Sequence, residues 1–189
     1  MKKLGAFVFP ALVIVMMLGG NALAQNVGDK SDYFVTYYSN SRTTGSPDET
    51  VRIINDGDTG GNLWANFYVF DDSEELSECC SCVITPDGLL SESVNNELLS
   101  NPLTGRFLTR GVIKVVSTGP SGSLATGLHG TATHSQHTFG AVYSLTETPL
   151  ADANLTSGEW TGLQQLCSFA VELGSGTGTC SCTLEDHDF

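Results

Sequence analysis

The chain has 189 residues, of which 21 are Asp or Glu and 8 are Lys or Arg, so its net charge at pH 7 is −13. This acidic balance disfavours nucleic acids and anionic membrane surfaces as partners, because both carry negative charge that the protein would repel. The apolar fraction of 40% is ordinary for a globular protein, and no cofactor is predicted from the composition or from any motif.

The chain begins with the pattern of an export signal. Lys2 and Lys3 form a short positive region, and an apolar run follows over residues 6–18. The small residues Ala22 and Ala24 stand at the positions that signal peptidase reads. The alternative is an uncleaved membrane anchor, but the run is shorter than the ~20 residues that span a bilayer.

Cleavage after residue 24 would divide the sequence into a signal peptide, residues 1–24, and a single β-rich domain, residues 25–189. The remaining chain would hold 6 basic and 21 acidic residues, a net charge of −15. We therefore expect a secreted or periplasmic protein with no membrane span after cleavage.

The first half of the domain is predicted to be β. Residues 33–38, 50–54 and 62–70 are rich in aromatic and β-branched side chains, which are typical of strands. The Gly- and Asp-rich residues 55–61 predict a turn, so we expect the second and third strands to form a hairpin. The third strand is apolar on both faces, which is typical of an inner strand or of one that a helix covers. The acidic residues 71–78 are expected to form a solvated loop.

The middle of the chain gives weaker signals. Strands are predicted at residues 89–94, 112–116, 128–135 and 139–146. A short helical turn is predicted at residues 96–100, and the Gly- and Ser-rich residues 117–127 predict a surface loop.

One helix is predicted near the C-terminus. Thr156 and Glu159 have the spacing of a capping box, in which each residue bonds the backbone N–H of the other. An apolar stripe at helical spacing follows, formed by Trp160, Leu163, Leu166, Cys167, Ala170 and Leu173. Gly174 is expected to end the helix.

The six cysteines form two clusters: Cys79, Cys80 and Cys82 in the first, and Cys167, Cys180 and Cys182 in the second. Six cysteines allow about fifteen complete pairings. Bonds between such close neighbours within a cluster are disfavoured by disulfide geometry. We expect three bridges between residues 79–82 and residues 167–182. An alternative stays open, in which Cys167 bonds a cysteine of the C-terminal tail, Cys180 or Cys182.

Thiolates of the same residues could instead hold zinc or an iron–sulfur cluster. The Cys-x-Cys spacing and an oxidising compartment both favour disulfides over a metal site. A redox role is disfavoured because the clusters have acidic neighbours, Glu78, Glu185 and Asp186, which raise the pKa of a thiol.

Three histidines, His129, His134 and His137, lie within nine residues. On a single strand, His129 and His134 would face opposite sides, which argues against a metal site built on that strand. His134 and His137 are weak candidate metal ligands, and a solvated polar turn is the simpler interpretation.

The aspartates Asp56 and Asp58 are also weak candidate metal ligands. The sequence around them resembles the start of a calcium loop, but Phe67 stands where an EF-hand would require Glu. A looser calcium site would need Asp71 and Asp72 to lie nearby. A turn stabilised by local Asx hydrogen bonds is the simpler interpretation.

No catalytic residue is assigned. The chain has no Gly-x-Ser-x-Gly elbow and no phosphate-binding glycine pattern. One further motif, Asn154-Leu155-Thr156, is an N-glycosylation sequon, which matters where the host glycosylates.

Two long segments carry a resemblance to known sequences. They are VRIINDGDTGGNLWANFYVFDDSEELSECCSC, continued by VITPDGLLSESVNNELLSNPLTG, and the later LCSFAVELGSGTGTCSC. The chain resembles an uncharacterised family of short exported bacterial proteins with a CCSC…CSC cysteine pattern. The resemblance implies bacterial export, and it implies no activity and no site residues.

These observations predict a mainly β protein: an antiparallel β-sandwich, Ig-like in general shape, with one C-terminal helix packed on it and disulfides as staples. We expect an exported, non-catalytic extracellular or envelope module whose ligand is unknown. The alternative is an exported metal-assisted hydrolase that uses His134, His137 and nearby carboxylates.

Overall fold

A computed structural model describes residues 31–140, 142–175 and 178–182. This part of the chain is mainly β, with two antiparallel sheets and one C-terminal α-helix, as the sequence predicts. The predicted signal peptide, residues 1–24, lies outside the described residues.

The first sheet has five strands. They are β1 (Tyr33–Tyr38), β3 (Leu63–Asp71), β4 (Leu76–Ile84), β6 (Gly111–Thr118) and β9 (Ala151–Asp152). Their spatial order is β4-β3-β6-β1-β9, and all neighbours are antiparallel. The short strand β9 is not predicted from the sequence, because two residues carry no periodic signal.

The second sheet has four strands. They are β2 (Thr50–Asn55), β5 (Leu89–Ser93), β7 (Leu128–His137) and β8 (Tyr143–Pro149). Their spatial order is β5-β2-β7-β8, again antiparallel throughout. A short π-helical turn, Val94–Leu98, follows β5.

The main core lies between the two sheets, and strand β3 shows how the sequence builds it. Its residues Leu63, Ala65, Phe67 and Val69 alternate along the strand and belong to the core between the sheets. Tyr68, on the opposite face, packs in a second cluster under the C-terminal helix. Both faces of β3 are therefore apolar for the reasons predicted from the sequence: β3 is an inner strand of its sheet, and a helix covers its outer face.

The helix α1 (Ser157–Ala170) packs on the outer face of the five-stranded sheet. The residues that pack there are Trp160, Leu163, Cys167 and Ala170. Leu166 and Leu173 are exposed, so the buried stripe is narrower than predicted, because the helix has a sheet on one side only. Gly174 does not end the helical structure, which continues as a π-helical turn over Val171–Ser175.

The start of α1 confirms half of the predicted capping box. The Thr156 hydroxyl accepts a hydrogen bond from the Glu159 N–H at 3.2 Å. The Glu159 carboxylate turns to the sheet instead, where it accepts from the Tyr33 hydroxyl at 2.7 Å and from Lys114 Nζ at 2.6 Å. These bonds lower the pKa of Glu159, the one from Lys114 most. The side chain thus helps to dock the helix rather than to cap it.

The predicted hairpin of the second and third strands is wrong. Strand β2 pairs with β5 and β7, whereas β3 pairs with β4 and β6, so the connection crosses from one sheet to the other. The buried Asn55 holds this crossing, since its Nδ2 donates to the carbonyls of Gly61 and Ile84, each at 3.0 Å. The composition of residues 55–61 predicts a turn, but it does not determine which sheet the chain enters next.

Other boundaries also differ from the predictions. The acidic segment 71–78 is not all loop, because β4 begins at Leu76 and Glu78 is fully buried. The predicted loop at 117–127 starts later, since β6 includes residues 117 and 118. None of the helices within residues 31–140, 142–175 and 178–182 has the length and apolar character needed to cross a bilayer.

Candidate functional site

Three disulfides join strand β4 to the C-terminal part of the chain. The pairs are Cys79–Cys167, Cys80–Cys180 and Cys82–Cys182, with Cα–Cα distances of 5.8, 5.2 and 5.5 Å. No free cysteine remains. Each bridge runs between residues 79–82 and 167–182, as predicted, and the alternative in which Cys167 bonds the tail is not found.

The alternation of β4 determines which cysteine meets which partner. Cys79 faces outward, under the helix, and bonds Cys167 there. Cys80 and Cys82 share the opposite face and point into the core between the sheets, where they meet the C-terminal residues 178–182. One strand therefore anchors the helix on one side and the tail on the other.

The tail, residues 178–182, also forms backbone hydrogen bonds with β4. The Thr179 N–H donates to the Cys79 carbonyl at 2.6 Å, and the Cys79 N–H donates to the Thr179 hydroxyl at 3.0 Å. Gly178 pairs with Cys80 as an antiparallel bridge. The tail thus covers part of the outer edge of β4, which would otherwise expose unpaired backbone groups.

The inner disulfides bring three sulfurs together. The Sγ atoms of Cys80, Cys82 and Cys182 lie within 4.8 Å of one another, and within the described ranges no other group of three Cys, His, Asp or Glu residues is so close. Both inner disulfides are formed, so these sulfurs are not thiolates and offer no ordinary zinc ligand set.

Two buried carboxyl groups, Glu78 and Glu92, lie on the strands β4 and β5, and their burial is not predicted from the sequence. Burial raises the pKa of Glu78 to about 8, although the Asn101 N–H, which donates to this carboxyl at 3.1 Å, opposes the shift. The fully buried Glu92 approaches Cys82, with Oε1 at 3.9 Å from Sγ. Glu78 has the same parity as Cys80 and Cys82 along β4, so the strand pattern carries a signal for its inward position.

A third buried carboxyl group, Glu49, ties the two sheets together. It accepts from the Ser135 N–H at 2.5 Å, from the Ser39 N–H at 3.0 Å and from the Ser39 hydroxyl at 3.1 Å. Burial raises its pKa, and these hydrogen bonds oppose the rise. Ser39 Oγ also lies 2.8 Å from the Ser135 carbonyl, so this hydroxyl connects the two sheets as well.

The candidate metal ligands His134 and His137 do not converge. His134 is buried, stacks on Tyr37 with ring centroids 4.0 Å apart, and has Nε2 2.9 Å from the Thr148 hydroxyl. Burial lowers its pKa. His137 is exposed three residues later on the same strand, so the two rings lie on opposite faces and cannot bind one ion.

The candidate calcium ligands do not converge either. Asp56 Oδ2 lies 3.3 Å from His129 Nε2, and Asp56 Oδ1 accepts from the Asp58 N–H at 3.0 Å, as in an Asx turn. Asp71 and Asp72 lie at the other end of β3, a nine-residue strand that ends at Asp71 and spans roughly 30 Å. They form ion pairs there with arginine side chains, Arg106 and Arg110.

Two surface features can contact other molecules. A groove of about 450 Å³ lies beside β9 and the start of α1, with mainly polar lining residues: Ser31, Asp32, Thr126, Asp152, Ala153, Asn154 and Leu155. The β7–β8 ribbon carries exposed apolar side chains at its tip, with Phe139 100% and Val142 62% exposed. Other large apolar side chains, such as Phe107 and Phe169, are exposed elsewhere on the surface.

Comparison of the chain with protein-family models, with curated proteins and with solved structures finds no match.

Proposed function

We propose that the protein is an exported, non-catalytic module of the cell envelope or the extracellular space. The observation that carries this proposal is the set of three disulfides built on strand β4. Disulfides persist in oxidising compartments and are rare in the cytosol, so they fit the export predicted from the N-terminal sequence.

The arrangement of the disulfides favours a structural role for the sulfurs. Cys79, Cys80, Cys82 and Cys180 are almost fully buried, so they are poorly accessible to a substrate or a redox partner. The candidate hydrolase ligands, by contrast, lie on opposite faces of β7. The geometry therefore supports a rigid scaffold that presents a surface better than it supports a reaction centre.

Export and oxidation can be tested together on the full chain, expressed with its own N-terminus in a bacterial host. We expect intact mass measurement of the exported fraction to show a chain that starts at residue 25 and lacks six hydrogens. Val13→Asp should place a charge in the apolar run and leave the protein in the cytosol, whereas Asn21→Asp, outside that run, should not. Wild-type protein recovered in the cytosol with six alkylatable thiols would refute the proposal.

The β7–β8 ribbon tip is the surface we expect such a module to use. Phe139→Ser removes its most exposed apolar side chain. The matched control is Phe169→Ser, because Phe169 is also exposed, at 61%, but lies on α1, where Ser and Phe have similar helix propensities.

The readout is the fraction of exported protein that sediments with washed envelope membranes and wall material. We expect Phe139→Ser to lower that fraction at least several-fold and Phe169→Ser to leave it unchanged, with the same thermal unfolding midpoint in all three proteins. Equal sedimentation of the three proteins would exclude the tip as the binding surface.

A further inference from the structure

The sequon Asn154-Leu155-Thr156 is the only one in the 189 residues, and it lies between β9 and α1. We propose that Asn154 is the acceptor of an N-linked glycan. The proposal rests on the export part of the proposed function, because glycan transfer to a sequon takes place on exported chains.

The side chain of Asn154 is available for this chemistry. It is exposed, and within the described ranges no hydrogen bond joins its side-chain amide to another residue. Other asparagines are committed to the fold: Asn55 Nδ2 bonds two carbonyls of the sheet crossing, and Asn66 Nδ2 donates to the Val116 carbonyl at 2.8 Å. A glycan on Asn154 would therefore displace no hydrogen bond of the folded protein.

The surroundings of Asn154 also suit a sugar. Asn154 lines the 450 Å³ groove, together with Asp32, Asp152, Ser31 and Thr126. Carboxylates and hydroxyls at such an open site can bond the hydroxyls of the first sugar.

The reaction needs a glycan donor linked to a lipid through pyrophosphate. The Asn154 Nδ2 atom attacks the anomeric carbon of that donor, so a C–N bond forms. The bond between the anomeric carbon and the pyrophosphate oxygen breaks, and the lipid pyrophosphate leaves with the electron pair of that bond. Nδ2 loses one proton to solvent. No oxidant or reductant takes part.

The structure also predicts when the transfer occurs. The Thr156 hydroxyl belongs to the sequon and is also the N-cap of α1, where it accepts from the Glu159 N–H. A transferase that binds this hydroxyl competes with the cap. We therefore place the transfer before the first turn of α1 is complete.

The test uses the full chain in cells that carry an N-oligosaccharyltransferase and its lipid-linked donor, and in the same cells without the transferase. Intact mass and the mass of the peptide that contains residue 154 are measured. We expect one glycan at Asn154 in the wild type and no glycan in Asn154→Gln.

Two substitutions at Thr156 separate the sequon from the cap. Thr156→Ser keeps the sequon and the cap, so this variant should be glycosylated. Thr156→Asp keeps the cap but destroys the sequon, so it should carry no glycan. Wild-type protein that is cleaved at residue 24 but unglycosylated, in cells that modify a control acceptor, would overturn the glycan proposal alone. Uncleaved, reduced protein would instead refute export.

Discussion

Glu78 shows how a single residue couples this fold to pH. Its carboxyl group points into the core because it shares the strand face of Cys80 and Cys82. Burial raises its pKa from 4.5 to about 8, although the Asn101 N–H and the positive charge of Arg42 favour the ionised form. The folded protein therefore holds a proton on Glu78 at pH values where the unfolded chain has lost it.

This difference predicts that Glu78 makes the protein less stable as pH rises. Its stabilising effect is complete below about pH 4.5 and is lost as pH rises towards about 8, because the folded state binds the proton more tightly. One proton gives a slope of up to ~1.4 kcal/mol per pH unit in the free energy of unfolding. Glu78→Gln should remove this slope, as measured by denaturant unfolding at pH 5, 6, 7 and 8.

Comparing the pH dependence of the free energy of unfolding in Glu78→Gln and in wild type isolates the contribution of Glu78. Burial raises the pKa of Glu49, which adds a slope of the same sign, and lowers the pKa of His134, which adds one of opposite sign. Both contributions remain in the variant and cancel in the comparison. The exposed Glu172→Gln is the matched control. Parallel curves for wild type and Glu78→Gln would show that Glu78 does not titrate as its burial implies.

Gly178 has no room for a side chain. Its φ is +114°, and a Cβ atom there would collide with the carbonyl group of Cys79. Gly178→Ala should lower the free energy of unfolding by ~2 kcal/mol or more, because the tail would have to move away from β4. Gly162→Ala is the opposite case, since open space surrounds this helical glycine, and it should stabilise by up to ~1 kcal/mol. Chemical denaturation of both variants measures the two changes in the free energy of unfolding. Equal changes in Gly178→Ala and Gly162→Ala would contradict the prediction.

At the residue scale, the sequence predicts that the two clusters of cysteines are joined by disulfides. It does not predict which cysteine bonds which. The two clusters of cysteines are visible in the sequence, and bridges between them follow from the exclusion of strained local bonds. The individual partners depend on which face of β4 each sulfur occupies, which follows from alternation only once β4 is recognised as a strand, and on the path of residues 178–182, which no local pattern encodes. Glu78 is missed for a related reason, because an acidic run resembles a loop until the strand that contains it is known.

At the scale of elements, we expect one covalent bond, Cys79–Cys167, to contribute to holding α1 on the sheet. With Cys80–Cys180 intact, the Cys79–Cys167 bond closes a further ring of ~15 residues, which corresponds to ~3 kcal/mol in the chain-entropy model. Cys82–Cys182 closes a ring of only ~6 residues, which corresponds to ~2 kcal/mol. Removing one disulfide at a time should therefore lower the free energy of unfolding by different amounts.

We expect Cys79→Ala/Cys167→Ala to lower the free energy of unfolding more than Cys82→Ala/Cys182→Ala does. Only the first pair should speed amide hydrogen exchange throughout residues 160–170, since the helix would lose its anchor to β4. Denaturant unfolding and hydrogen exchange by mass spectrometry measure the two effects. A helix that exchanges at wild-type rates without Cys79–Cys167 would show that its apolar contacts and Lys114 suffice to dock it.

The sequence predicts elements well where one periodic pattern dominates. Strand β1 and the N-cap of α1 lie where predicted, and the two apolar faces of β3 have the predicted causes. The hairpin of β2 and β3 fails because a turn composition is local, whereas the sheet that a strand joins is decided by distant partners. Those partners, such as β6 for β3, are selected by long-range packing that no short window contains.

At the scale of the whole molecule, the fold joins distant segments by covalent bonds. The three disulfides span sequence separations of 88, 100 and 100 residues. The first bond to form closes a loop worth ~4.7 kcal/mol, and the other two bring the sum to roughly 10 kcal/mol in the same chain-entropy model. That sum is comparable with the whole free energy of unfolding of an ordinary domain, ~5–15 kcal/mol.

The fully reduced protein should therefore be largely unfolded at 37 °C, and the disulfides should open in a fixed order under a dithiol reductant at 25 °C. Cys80–Cys180 should be reduced last, because both of its sulfurs belong to buried residues, whereas Cys167 and Cys182 are partly exposed. Alkylation at timed intervals with peptide mapping gives the order, and far-ultraviolet circular dichroism follows the loss of β structure. Reduced protein that keeps the denaturation midpoint of the oxidised form would show that the core between the two sheets is sufficient without the sulfur bonds.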